Sequence, residues 1–177
     1  MTPEFSRTER LDVIGEAPRH VRIEADEGER AALARRFALV AVERLEGDFT
    51  LRRSAAGIEA EGRVLAAVVQ ACSITDAPLT ATVDEPFALR FVQANDHAED
   101  EVELGEDALD TVEIEGGAID LGEAAAETMA LALDPFPRAP GAEQALRDAG
   151  VVSEEEAGPF GALAALRDRL GKGEREG

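Results

Sequence analysis

The stretch that decides the fold is VERLEGDFTLRRSAAGIEAEGRVLAAVVQACSITDAPLTATVDEPFALRF, residues 42–91. Apolar side chains alternate with polar ones in three segments of this stretch, which is the pattern of β-strands with one buried face. The segments begin at Val42, Ile58 and Leu79, and short turns rich in Gly, Ala and Pro separate them. Three long strands joined by short turns predict an antiparallel meander.

Helices are predicted before and after the meander in the sequence. Asp26 followed by Glu29 has the spacing of a capping box, which predicts a helix from Glu27 to about Phe37. The C-terminal part predicts three further helices, over about residues 123–133, 142–150 and 160–170. The predicted fold class is therefore α+β, an antiparallel β meander with an N-terminal helix and C-terminal helices packed on it.

The length of 177 residues suits one domain. We expect this domain over residues 1–170, with an acidic loop at about 93–117 and a flexible tail at 171–177. The acidic loop is the clearest shift in composition along the chain. The alternative is therefore a hinge there, between an N-terminal α+β part and a helical C-terminal part.

The chain is strongly acidic, with 38 Asp and Glu against 18 Lys and Arg and a formal net charge of −20. No Lys or Arg stands between Arg90 and Arg138, while acidic residues crowd residues 96–127. Such a block repels phosphate and cannot neutralise a nucleic-acid backbone, whereas it can attract a basic protein. The alternative is a solvated loop that only keeps the protein soluble.

Residue types that carry chemistry are scarce. Cys72 is the only cysteine, which excludes an intrachain disulfide, and its position on a strand favours a buried side chain over a nucleophile. The acids near His97 lack the fixed spacing of a metal site, and His20 is the only other histidine. No catalytic signature or phosphate-binding glycine loop is present. We therefore expect a protein that is not an enzyme and has no metal or cofactor.

The N-terminal sequence MTPEFSRTERLDVIG is charged from the start and lacks the apolar core of a signal peptide. No apolar run approaches the roughly 18 residues that a membrane-spanning helix needs. We therefore expect a cytoplasmic protein without a membrane partner.

One possible basic patch is formed by Arg35 and Arg36 together with Arg52 and Arg53 further along the chain, and Arg44 lies between these pairs in the sequence. Short arginine clusters are usually solvated, so we favour that interpretation. Contact with an acidic or nucleic-acid partner is the alternative.

The sequence PFPRAPG at residues 135–141 contains three prolines, which exclude a helix there. We expect this rigid segment to pack on its own domain, and display to a partner is the alternative. Asp120 precedes the second predicted helix and is a candidate cap for it. If any surface binds a partner, we expect it to include Asp120, Phe136, Pro137 and Arg138.

Several stretches together resemble one known family. The most specific is IDLGE at residues 119–123 leading into LALDPFPRAPG at 131–141. The others are ERAALARRF at 29–37, VQACSIT at 69–75 with PL at 78–79, and GPFGALAAL at 158–166. In this order, over about residues 5–170, they resemble the YceD-like family in an alphaproteobacterial form. Its members are named as large ribosomal RNA subunit accumulation proteins and contain a domain of unknown function.

The resemblance implies a bacterial factor of ribosome biogenesis that supports 23S rRNA accumulation. No enzymatic activity is established for the family. Many members carry further cysteines in a C-x-x-C arrangement, but here Thr75 stands three residues after Cys72. The resemblance therefore gives no reason to expect zinc.

The family resemblance and the charge distribution together predict the partner. We expect a basic ribosomal or assembly protein, with rRNA associated only indirectly and no role for DNA. The alternative is a direct RNA-binding module that uses the Arg-rich N-terminal half.

Overall fold

A computed structural model describes residues 3–93, 110–114 and 116–151. The chain divides into two compact units, one of Met1–Ala71 with Pro78–Pro135 and one of Cys72–Ala77 with Phe136–Gly177. The predicted helix at 160–170, the predicted tail at 171–177 and most of the predicted acidic loop lie outside the described residues. The expectation of a single domain over residues 1–170 stays a prediction.

The described part of the first unit consists of strands, two α-helices and one 3-10 turn. The strands are β1 (Thr8–Arg10), β2 (Arg19–Glu24), β3 (Ala41–Ser54), β4 (Gly57–Ala71), β5 (Pro78–Gln93), β6 (Asp110–Ile114) and β7 (Ala118–Asp120). The helices are α1 (Glu27–Arg36) and α2 (Leu121–Ala132), and the 3-10 turn is Leu11–Val13. The second unit contains α3 (Ala142–Asp148).

The main sheet has five strands in the order β2-β3-β4-β5-β6. Its centre is the predicted antiparallel meander of β3, β4 and β5. β2 adds to β3 in an antiparallel sense, whereas β6 lies parallel to β5, which a meander does not predict. β1 and β7 form a separate antiparallel pair. The predicted α+β class is confirmed.

One face of the main sheet forms the core. Along β4 the alternate residues Ile58, Ala60, Val64 and Val68 are buried, as their spacing predicts. Helices α1 and α2 supply buried side chains to the same hydrophobic cluster. The other, more polar face carries exposed charged side chains on all three long strands, together with the half-buried apolar residues Leu65, Ala67 and Val69 towards the end of β4. The sheet therefore leaves one face for solvent or a partner.

The helix starts follow their capping residues. The Asp26 side chain accepts a hydrogen bond from Glu29 N, and the Glu29 carboxylate accepts one from Asp26 N, which confirms the predicted capping box. α2 begins at Leu121, two residues earlier than predicted, because Asp120 already caps it. Leu131 of this helix is 87% exposed, since α2 buries the side that carries Met129.

Two local features complete the first unit. Within residues 4–14 only Thr8–Arg10 form a strand, because the 3-10 turn follows β1 and directs both Leu11 and Ile14 into the core. Gly57 has a φ of 132°, which L side chains rarely adopt, and it forms the predicted turn between β3 and β4. None of the helices in the described ranges has the length and apolar character needed to cross a membrane.

Candidate partner-binding surfaces

Asp120 links the start of α2 to the N-terminal segment. Its Oδ1 accepts hydrogen bonds from the backbone N–H groups of Gly122 (3.0 Å) and Glu123 (3.2 Å), as a helix cap does. The same carboxylate accepts from Arg7 N (2.8 Å) and from Ser6 Oγ (2.5 Å). The Asp120 carboxylate therefore accepts four hydrogen bonds from its own chain. It has a structural role, and little capacity remains to accept hydrogen bonds from a partner.

The N-terminal segment is held to α1 and α2 by two arginines. Arg7 donates to both carboxylate oxygens of Glu29, at 2.7 and 2.9 Å. This contact keeps the pKa of Glu29 below its ordinary value. Arg36 contacts Glu4 at 3.0 Å and both oxygens of Glu123 at 2.8 and 2.6 Å. The hydrogen bond to Glu123 in turn raises the pKa of Arg36.

The four arginines of the predicted basic patch do not form one surface. Arg36 is held by acidic side chains on the helical side of the sheet, as described above. Arg52 lies on the polar face, where it donates to Glu59 at 2.6 Å. Arg53 donates from Nε to the carbonyl oxygen of Ile14 at 3.0 Å and fixes the chain beside the 3-10 turn. Within the described ranges, Arg35 alone of the four contacts no acceptor.

The polar face of the sheet carries a row of ion pairs that crosses the strands. Glu59 on β4 lies opposite Arg52 on β3 and opposite Arg90 on β5, and both guanidinium groups contact it. Arg44 on β3 donates to Glu46 at 2.7 Å. These pairs neutralise arginines that a phosphate would otherwise contact, although each exposed pair contributes little to stability.

Most of the described arginines are therefore bonded within the chain, whereas many exposed carboxylates form no ion pair with another described residue. In the described ranges, every arginine except Arg35 and Arg138 contacts a carboxylate or a backbone carbonyl oxygen. Exposed carboxylates without an ion pair to another described residue include Glu16, Glu27, Glu43, Asp48, Glu61, Glu85 and Glu127. The available charge on the described surface is thus negative.

In the second unit, the turn Cys72–Ala77 holds the predicted rigid segment. The carbonyl oxygen of Pro137 accepts hydrogen bonds from Ser73 N at 2.8 Å and from Ser73 Oγ at 3.1 Å. The backbone of the segment is fixed, yet the Phe136 side chain is 71% exposed and Arg138 is exposed. The backbone of this segment is therefore packed, as expected, whereas the side chains of Phe136 and Arg138 are displayed on the surface.

Cys72 is fully buried, as predicted, although it lies in the turn that follows β4 and not on the predicted strand. Its Sγ accepts hydrogen bonds from the N–H groups of Ala139 (3.2 Å) and Ile74 (3.5 Å). A hydrogen bond from Thr75, followed in size by the one from Ala139, lowers the pKa of Cys72 to about 7. The thiol therefore helps to position the segment after Pro137.

Sequence reasoning missed the parts of these surfaces that depend on distant pairing. Ser6 and Arg7 gave no signal as partners of Asp120, because more than a hundred residues separate them along the chain. Ser73 likewise gave no signal as a partner of Pro137, which lies 64 residues further along the chain. Among the described residues, no group of three or more His, Cys, Asp or Glu side chains is arranged to hold a metal ion.

The fold and these surfaces define a small acidic α+β protein with most of its described arginines bonded internally. Residues 60–167, more than half of the chain, match a family described as "Large ribosomal RNA subunit accumulation protein YceD". The chain belongs to the YceD family. The match begins within β4, so the stretch at 29–37 that contributed to the resemblance lies outside it. No curated protein and no solved structure matches the chain.

Proposed function

We propose that this protein is a non-catalytic cytoplasmic factor that supports 23S rRNA accumulation by binding a basic ribosomal or assembly protein. Membership of the YceD family supports the coarser statement, a role in ribosome biogenesis. The observation that carries the finer one is the charge balance of the described surface. Its arginines are almost all bonded within the chain, while many carboxylates are exposed and unpaired.

Direct RNA binding by the N-terminal half is the weaker alternative. A protein that binds RNA electrostatically must present several free cations to the phosphates. Arg36, Arg52 and Arg53 are engaged by acceptors of the same chain, which leaves Arg35 as the one predicted cation of this patch with no described acceptor. Breaking the internal pairs would expose carboxylates beside the same phosphates. A basic protein partner meets no such obstacle.

The displayed segment offers a specific contact for this partner. Phe136 presents an exposed ring, and Arg138, two residues on, presents a guanidinium group that no described residue accepts from. Aromatic and arginine side chains on a fixed backbone are enriched among the residues that dominate binding energy. Because Ser73 and Cys72 already hold this backbone, a partner would not have to order it.

The test is a pulldown of the tagged protein from bacterial lysate, at low and high salt and with and without nuclease. We expect a basic protein of the large subunit to be recovered with nuclease present and to be lost as salt rises, because salt screens surface charge. The matched variants are Arg138→Ala in the displayed segment and Arg35→Ala in the basic patch. Recovery that nuclease abolishes, and that Arg35→Ala weakens, would overturn the proposal in favour of RNA contact.

A further inference from the structure

Strand β5 has a long stretch with a neighbour on one side only. β4 pairs with it without a break from Pro78 to Phe91. On the other side β6 pairs only with Leu89 to Gln93. Within the described ranges, residues 78–88 therefore form an open edge of the sheet. Such an edge presents backbone donors and acceptors that can pair with another chain.

The direction of these backbone groups follows from the neighbouring strand. The carbonyl oxygen of Val69 in β4 accepts a hydrogen bond from Val40 N at 2.8 Å, on the side away from β5. Val69 and its partner Thr80 are therefore a pair without mutual hydrogen bonds, so the N–H and C=O of Thr80 point outward. The alternation along a strand gives Thr82 and Asp84 the same direction.

Two prolines mark the limits of this edge. Pro78 and Pro86 stand at an even spacing from Thr82, so each occupies a position whose missing N–H would have pointed outward. Between them the edge has no lysine, and the pairing of β5 with β4 has no bulge. Lysines, bulges and prolines all protect edges from pairing, and here the prolines stand only at the two ends of the stretch. The seven residues between the prolines are long enough for a short added strand.

The edge is also held rigid and is acidic. Val83 and Phe87 point into the core, and the described residues give the outward positions no competing hydrogen bond. Asp84 and Glu85 are exposed, and Arg63 forms an ion pair with Asp84 and lies close enough to Glu85 that both carboxylates raise its pKa. An incoming strand therefore meets a prepared backbone and an excess of negative charge, which selects for basic side chains.

We infer that the edge of β5 between Pro78 and Pro86 binds an extended, Lys- or Arg-bearing segment of a partner protein as an added β-strand. This inference rests on the proposed function and names a further contact surface for the same partner. Backbone hydrogen bonds to the three outward-facing residues give the affinity, and the acidic side chains give the preference for a basic segment.

The test measures binding of a fluorescein-labelled peptide of alternating Lys and Val, about ten residues long to match a strand, to the full chain by anisotropy. Thr82→Pro removes an outward N–H and leaves the ladder to β4, as Pro86 already does. We expect it to weaken binding about tenfold or more, equivalent to about 1.4 kcal/mol. The control Thr82→Val keeps the N–H and the branched side chain, and we expect a change of less than about twofold.

A second probe separates strand addition from simple charge attraction and does not depend on a variant that folds. The same peptide with every backbone amide N-methylated keeps its charge but cannot donate backbone hydrogen bonds. Equal binding of the two peptides to the unmodified protein would overturn the inference. So would a homodimer in the absence of peptide that Thr82→Pro dissociates, because a second copy of the chain would then occupy the edge.

The pulldown separates failure of this inference from failure of the proposed function. If the Thr82→Pro chain recovers the same basic protein as the unmodified chain, the edge is not the docking surface but the proposed function stands. If neither chain recovers a protein once nuclease is present, both proposals fail.

Discussion

Removal of the Asp120 carboxylate should destabilise the fold, because this side chain joins the N-terminal segment to α2. Asp120→Ala removes a helix cap, which is worth about 1 kcal/mol. It also leaves Arg7 N and Ser6 Oγ without the acceptor they use at 2.8 and 2.5 Å, and a hydrogen bond to a charged group contributes about 1.5–3 kcal/mol. Water replaces part of this loss at a half-buried site. We therefore expect a decrease of about 2–4 kcal/mol in the free energy of unfolding.

Urea denaturation followed by circular dichroism measures this change. With a typical slope of about 2 kcal/mol per molar urea, the midpoint should fall by about 1–2 M. Asp120→Asn keeps one acceptor oxygen, so its free energy of unfolding should decrease less than that of Asp120→Ala. Asp48→Ala removes an exposed carboxylate from β3 and should stay within about 0.5 kcal/mol of the unmodified protein. An Asp120→Ala midpoint equal to that of Asp48→Ala would refute the structural role and return Asp120 to the candidates for partner binding.

Three further predictions test the contacts described above. Glu29→Gln should lower the free energy of unfolding by about 1 kcal/mol at pH 7. The depressed pKa of Glu29 stabilises the fold above pH 4.5, the ordinary pKa of this group, and this stability is lost as the pH falls through the folded-state pKa. The cost should therefore shrink as the pH falls below 4.5, with Glu61→Gln as the matched control. Gly122→Ala should lose about 1–3 kcal/mol in urea denaturation, because its Cβ would lie 2.6 Å from a backbone oxygen, whereas Gly28→Ala in α1 should be neutral or stabilising. Arg138→Ala should leave the urea midpoint unchanged but reduce recovery of the partner in the pulldown.

Each of these predictions has an outcome that contradicts it. A Glu29→Gln deficit that does not shrink as the pH falls below 4.5 would mean that packing, not charge, explains it. A Gly122→Ala chain as stable as Gly28→Ala would show that the N-terminal segment does not lie against α2. Full recovery of the partner by Arg138→Ala would remove the displayed segment from the binding surface.

The features that the sequence predicted well are those with local causes. The alternation of apolar residues determined β3, β4 and β5, because a strand with one buried face repeats every two residues. The capping box of Asp26 and Glu29 set the start of α1 for the same reason, since both partners lie within one helical turn. The role of Asp120 as a cap was predictable on the same grounds.

The features that escaped prediction depend on which distant segments meet. The Asp120 cap also binds Ser6 and Arg7, which only the folded chain brings to it. The parallel pairing of β6 with β5 has no local signature, because either direction satisfies the same alternation. The engagement of Arg52 by Glu59 likewise depends on strand register. A cluster of arginines in the sequence therefore said little about the charge that the folded protein presents.

The most direct test of the central claim compares two purified ligands of opposite charge. Labelled protein is titrated with protein-free 23S rRNA and, separately, with the rRNA-free proteins of the large subunit, and binding is followed by anisotropy at two salt concentrations. The account predicts binding to a basic component of the protein fraction that weakens with salt, and no binding to the rRNA beyond that of an unrelated acidic protein. Salt-sensitive binding to the rRNA alone, with none to the protein fraction, would contradict it.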